Sequence, residues 1–146
     1  MITIKEIDKK NTYPVRHLVL RKGKPIESCY FEDDEKDSTR HFGLILDEKI
    51  VGVVSLFEKK NEYFNENKQF QIRGMAVLDE YQQKGYGKLL IQEVETYCLK
   101  LNIDLIWFNA RESAKSFYQK LNYKTNGKPF DIKNIGLHYI MFKKLI

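Results

Sequence analysis

Cysteine is scarce in this chain, with only Cys29 and Cys98 among 146 residues. Two cysteines cannot build a disulfide scaffold, and these two have no metal-ligand spacing, so no metal site is expected. Cys98 falls at a helical apolar position and reads as packing; a reducing, cytoplasmic setting is the expectation. Long apolar runs are missing as well. None approaches the length needed to cross a membrane, and the opening "MITIKEIDKK" lacks the apolar stretch of a signal peptide, so no membrane partner is expected. No repeat, low-complexity tract or Pro/Gly/Ser-rich linker divides the chain, which leads to the expectation of one domain over 1–146. A block of one charge sign is absent too. The 25 basic residues are interspersed with 20 acidic ones, and "FEDDEKD" at 31–37 is locally acidic. The net charge of +5 would suit an anionic ligand. Without a basic stripe or a recognised binding motif it reads first as solvated surface, and no nucleic-acid partner is expected.

What is present is enough apolar material for a core: 42% hydrophobic and 13% aromatic residues. "MITIKEI" alternates with period two and reads as a strand. "TYPVRHLVLRKG" reads as a short helix that Thr12 can cap and Gly23 can end, with Val15, Leu18 and Val19 on one face. Residues 24–40 look irregular. "HFGLIL", "DEK" and "IVGVVSLF" read as a hairpin. Residues 58–68 form a loop, and "QFQIRGMAVL" is the next strand, with Gly74 marking a bulge or close backbone approach. A helix follows on the spacing of Leu90, Val94, Tyr97, Cys98 and Leu101. "IDLIWFNA" is a buried strand, a helix runs through Ala114, Phe117, Tyr118 and Leu121, and "HYIMFKKL" is the last strand. Residues 126–138 are read as loop. The order is strand, helix, three strands, helix, strand, helix, strand. The strand–helix–strand unit from 69 to 109 requires parallel strands, so the fold expected is α+β, a mixed sheet flanked by helices.

One stretch asks for a chemical explanation. "YQQKGYGKLL" (81–90) places Gly85 and Gly87 where a strand-to-helix loop meets a helix N-terminus. Such a terminus has N–H groups without intrahelical partners, and glycines let an anion approach them. A turn needing a left-handed residue would look the same. A P-loop needs four residues between its glycines, and here Tyr86 stands alone between them. A dinucleotide fingerprint wants Gly or Ala where Leu90 stands and an acidic residue where Asn109 stands.

"QQKGYG" at 82–87 resembles the acyl-CoA loop of the GNAT superfamily of N-acyltransferases, Gln/Arg-x-x-Gly-x-Gly/Ala, at every fixed position. "IRGMAVLDEYQQKGYGKLL" is similar to that family's central strand, loop and helix, and "ARESAKSFYQKLNY" to its later helix, A-x-x-F-Y-x-K-x-G-F. The likeness is specific over 69–124. It implies a GNAT-like sheet with a strand–helix–strand acyl-CoA unit, acetyl-CoA as cosubstrate, and a small-molecule or peptide amine as acceptor. By family analogy it also points to a homodimer. The resemblance implies that Gln83, Lys84, Gly85, Tyr86, Gly87 and Lys88 offer backbone N–H groups to pyrophosphate. Met75, Ala76 and Val77 would pair with the pantetheine arm through the main chain. Tyr118 falls on the tyrosine that many members place near the thioester sulfur. Arg111 stands where members often carry an Asn that contacts pantetheine, and Asn122 replaces the glycine after the helix, a conformation Asn tolerates.

Such chemistry needs a neutral amine, N–H donors for the oxyanion and help for the leaving sulfur. Tyr118 would hydrogen-bond that sulfur, or else simply continue the apolar stripe of its helix. Asn109 either contacts the cofactor in the cleft or opens a capping box with Glu112. Met75 could be core filler, and Lys84 and Lys88 solvated. For the base, His138 in "IGLHYIM" is similar in position to a histidine of one bacterial branch. His41, the carboxylates at 32–34 and a water chain are the other candidates. Beside an N-acetyltransferase working by direct attack in a ternary complex, an acyl-CoA-binding sensor without turnover stays open. The sensor would need the glycines but not Tyr118.

Overall fold

The computed structural model describes residues 1–145, and seven strands of these residues join one sheet. Strand β1 (Ile2–Ile7) pairs antiparallel with β2 (Arg40–Leu46), β2 with β3 (Lys49–Glu58), and β3 with β4 (Gln69–Val77). Asp47 and Glu48, both at positive φ, form the two-residue turn between β2 and β3, the geometry that matches the twist of a tight hairpin. Helix α1 (Tyr13–Leu20) lies between β1 and β2 in sequence, and α2 (Tyr86–Lys100) carries the chain from β4 to β5 (Leu105–Arg111). That crossover makes β4 and β5 the parallel pair of the expected unit. After α3 (Lys115–Lys120), the hairpin of β6 (Lys124–Ile132) and β7 (Gly136–Lys144) places β7 beside β5 and β6 at the edge.

The two faces of the sheet are read from neighbouring residues of β2, whose side chains alternate. His41 bonds Ser55 of β3, which in turn binds Arg16 of α1. Phe42, on the other face, meets Tyr97 of α2 edge-on with ring centres 5.7 Å apart. Because helices cover both faces, β3 is buried without a break from Val51 to Phe57 and shows no polar alternation. From α2 the core takes Leu90, Ile91, Val94 and Cys98; Leu101, expected on this stripe, is exposed.

Three expectations need correction. Residues 126–138 are not loop, because β6 runs through Lys124–Ile132. Its Asn126–Gly127–Lys128–Pro129 run reads as a turn, but β6 is an edge strand whose pairing with β7 shifts between Asn126 and Phe130, where Pro and a glycine at φ +78° are tolerated. Thr12 does not cap α1 with its side chain. It adopts helical angles itself, and its hydroxyl donates to the Lys9 carbonyl. The buried face of α1 is Val15 and Arg16, while Leu18 is 57% exposed.

Candidate active site

Parallel pairing between β4 and β5 lasts only from Gln69–Leu105 to Gln71–Trp107. Beyond that point β5 stays with β7 while β4 stays with β3, so the two strands part and the sheet opens. A cleft of about 490 Å³ fills the gap, between residues 71–75 of β4 and 108–111 of β5. Along this side the main chain of β4 has no strand partner, an edge that an extended ligand can satisfy.

Gly74 sits at the parting. Val53 opposes Ala76 and Ser55 opposes Arg73, so Val54 alone faces Gly74 and Met75, which is a bulge. Gly74 has φ +66°, and a β-carbon there would lie 2.9 Å from the Phe31 ring. Both the backbone and the packing require glycine. The bulge turns the strand locally beside the cleft, as expected from the sequence.

The glycine loop lies next to this cleft. Gln82 ties it back to the sheet, its amide donating to the Val77 carbonyl at 2.9 Å and to Asp79 at 3.2 Å. Gln83 and Gly85 take positive φ, and Gly85 stands at the N-cap of α2. The first intrahelical bond there runs from Leu89 N to the Gly85 carbonyl, which leaves the preceding N–H groups at the positive end of the helix dipole. A β-carbon at Gly87 would lie 3.2 Å from Phe117 and 3.5 Å from Met75, both of which line the cleft. Loop and cleft are thus continuous. Lys84 and Lys88 are exposed at the loop.

Tyr118 is buried on α3, its ring 4.4 Å from Phe108 and 5.0 Å from Phe117 between centres, and it lines the cleft. Burial pushes its phenol well above the ordinary tyrosine range, so the hydroxyl keeps its proton. Tyr123 nearby donates to Glu95 at 2.8 Å, whereas the Tyr118 hydroxyl makes no hydrogen bond to another described residue. Asn122 closes the helix region at φ 73°, the left-handed conformation foreseen for it. His138, the third residue of β7, pairs with Arg111 of β5 and lines the same cleft. Its Nδ1 lies 2.8 Å from the Gly136 carbonyl, which can only accept. Nδ1 therefore carries the proton in the neutral ring, and Nε2 carries the lone pair.

Met75, Asn109, Arg111, Tyr118 and His138 thus share one cleft. Asn109 lies within β5 opposite Ile140, so the capping-box reading fails; Arg111 holds the N-cap position of the short 3₁₀ turn at Glu112–Ala114. Ala76 and Val77 pair with β3 and bury their side chains, which leaves only their main chain for any ligand. Among the other base candidates, Asp34 is locked by Arg16. His41 has both ring nitrogens engaged, with Ser55 and the Asp34 carbonyl, and burial lowers its pKa. Among the described residues, no Asp or Glu lines the cleft. Sequence reasoning missed Arg16, Gln82 and the Phe31 cluster. Only Gln82 had a signal, as the first letter of the loop motif.

The model of the acetyltransferase (GNAT) family matches residues 5–123. The chain belongs to this family. Over 145 residues it is 33% identical to the uncharacterized N-acetyltransferase YitI of Bacillus subtilis, covering 99% of this chain and 97% of that protein. Solved GNAT-like folds superpose closely at low identity. An aminoglycoside 6'-N-acetyltransferase complexed with coenzyme A gives a TM-score of 0.78 at 15% identity, over 99% of this chain and 97% of that one. FeeM, an N-acyl amino acid synthase from uncultured soil microbes, gives 0.79 at 13% identity, over 99% and 91%. The protein is a GNAT acyltransferase with the α+β fold of that family. Among the described residues, no group of three or more His, Cys, Asp or Glu could hold a metal ion, and no helix is long and apolar enough to cross a membrane.

Proposed function

We propose that this enzyme transfers the acetyl group of acetyl-CoA to a primary amine of a small molecule or peptide, by direct attack in a ternary complex. The observation that carries the reading is the parting of β4 from β5 directly beside the glycine-edged N-terminus of α2. The cofactor would lie across that junction. Backbone N–H groups from Gln83 to Lys88 would receive its pyrophosphate, and the unpaired edge at 75–77 its pantetheine arm. Asn109 and Arg111 would bound the arm from the β5 side. The complex of the aminoglycoside enzyme with coenzyme A supports this choice of cofactor by its shared fold.

The chain's own groups supply the remaining chemistry. His138 Nε2 would take the ammonium proton and so free the amine lone pair. The bulge at Gly74–Met75 would turn a main-chain N–H toward the developing oxyanion. As the carbon–sulfur bond breaks, Tyr118 would hydrogen-bond the departing thiolate, a task suited to a phenol that burial keeps protonated. A sensor without turnover would need the loop and the free edge but leaves these two side chains without a task. The test is release of CoA thiol from acetyl-CoA across a panel of amines, beside cofactor-only controls and the acetyl-CoA-induced shift in melting temperature. A melting shift without amine-dependent thiol release would favour the sensor; no shift at all would overturn the cofactor assignment.

A further inference from the structure

We infer that the acceptor amine carries an anionic group, a carboxylate or a phosphate, held by Arg73 and Arg21 at the Phe31 end of the cleft. This rests on the N-acetyltransferase reading and names its acceptor class. The Arg73 and Arg21 guanidinium carbons lie 4.7 and 5.6 Å from the centre of the Phe31 ring, and all three residues line the cleft. Phe31 is a fixed platform. Its backbone N–H donates to Asp34 at 2.9 Å, and Asp34 is itself held by Arg16. Arg16 lies 3.8 Å from the same ring, but its terminal nitrogens are consumed by Asp34, Ser55 and the Cys29 carbonyl. Arg73 and Arg21 are not so occupied. Neither makes an ion pair with another described residue, and Arg21 gives one hydrogen bond, to the Leu20 carbonyl. Each guanidinium keeps donors in a fork that fits a carboxylate or phosphate.

The charge on the cleft wall itself is one-sided. Among the described residues, Arg111 is the third arginine of the cleft wall, and no carboxylate side chain joins it. Burial first, and then the charge of Arg16, disfavour the charged form of Arg73; Asp34 and, more weakly, Asp33 offset this in part, and Arg21 adds to it. A bound anion would relieve that repulsion. A polycationic acceptor would meet like charge with no acidic side chain to receive it, which costs affinity. An amine with an anionic group meets the opposite. Its negative end is anchored on the α1 side of the cleft, and its nitrogen is left free to face His138 on the other wall.

The experiment measures acetyl transfer to α-, β- and γ-amino acids and to aminoalkyl phosphates. Each is paired with its uncharged amide or alcohol, and a polyamine is included. Anionic members are expected to exceed their neutral partners in kcat/KM, with the better head group distinguishing carboxylate from phosphate. In Arg73→Gln and Arg21→Gln that preference is expected to fall by roughly 10- to 100-fold, the scale of a charge-assisted hydrogen bond, through KM rather than kcat. The acetyl-CoA melting shift of both variants reports folding and cofactor binding separately. If wild-type protein binds acetyl-CoA but prefers neutral or cationic amines, or acetylates none of the panel, the inference is overturned while the cofactor assignment stands. Equal loss toward anionic and neutral amines in the variants overturns it too.

Discussion

Asp34 grips Arg16 with both carboxylate oxygens, 2.8 Å to Nη1 and 3.1 Å to Nη2, where neither side chain is more than 3% exposed. The pair fastens the irregular segment between α1 and β2 to the sheet and fixes Phe31 at the cleft. Arg16 Nε is buried without a partner and faces Gly74. A buried pair of this kind is not a large net gain, but breaking it leaves one charge stranded. Asp34→Ala is expected to lower unfolding stability by about 3–5 kcal/mol, and Arg16→Met with Asp34→Leu to recover much of that loss. Urea denaturation of the single and double variants measures both. A single variant as stable as wild type would show that the pair bears little of the segment's anchoring.

Gly87 joins the helix terminus to the cleft, with Phe117 and Met75 standing where a side chain would go. Gly87→Val is therefore expected to displace Phe117 and narrow the approach to the free N–H groups. The melting shift given by acetyl-CoA should then disappear, since a ligand that no longer binds the folded state no longer stabilises it. Gly85→Ala is a contrasting case, because its β-carbon would meet nothing within 4 Å but must adopt φ +84°. Its expected effect is a modest loss of stability of about 1 kcal/mol with the acetyl-CoA shift retained. Differential scanning fluorimetry reads both variants, and a full shift in a folded Gly87→Val protein would count against the loop.

How far the sequence carried this site depended on the range of the interactions. The glycines of 82–87 and Gly74 were legible because each meets a local demand, a left-handed turn, a close approach or a bulge. Helix α2 was legible through its periodic apolar residues. Strand β6 was not, because Asn126, Gly127 and Pro129 signal a turn, and only its position at the sheet edge lets them stand in a strand. Arg16 gave no signal, because its partner is 18 positions away in a segment without a pattern. The Phe31–Arg21–Arg73 cluster joins residues from three parts of the chain and becomes visible only once that segment is anchored.

Tyr118 offers the cleanest separation of binding from turnover. Tyr118→Phe keeps the ring packed against Phe108 and Phe117 and removes only the hydroxyl. Acetyl-CoA affinity is expected to change little, while turnover falls by roughly ten- to a thousandfold if the phenol assists the departing sulfur. Single-turnover rates beside the melting shift test this. Undiminished turnover would return Tyr118 to a packing role.

His138 is the decisive case for proton transfer. The Gly136 carbonyl fixes the proton on Nδ1, so the lone pair belongs to Nε2, and among the described residues no carboxylate side chain lines the cleft to compete for the task. A general base needs such a free lone pair to take the proton from the ammonium. His138→Gln keeps an amide that can donate a hydrogen bond but has no basic lone pair to accept the proton. Turnover of the variant is expected to fall by roughly 10²- to 10⁴-fold, the contribution typical of a positioned general base. The check is kcat/KM measured for both proteins with one confirmed acceptor, beside the acetyl-CoA melting shift that reports folding and cofactor binding. A wild-type rate in a folded variant would pass the proton to water, because Asp34 is bound to Arg16 and His41 has both nitrogens engaged.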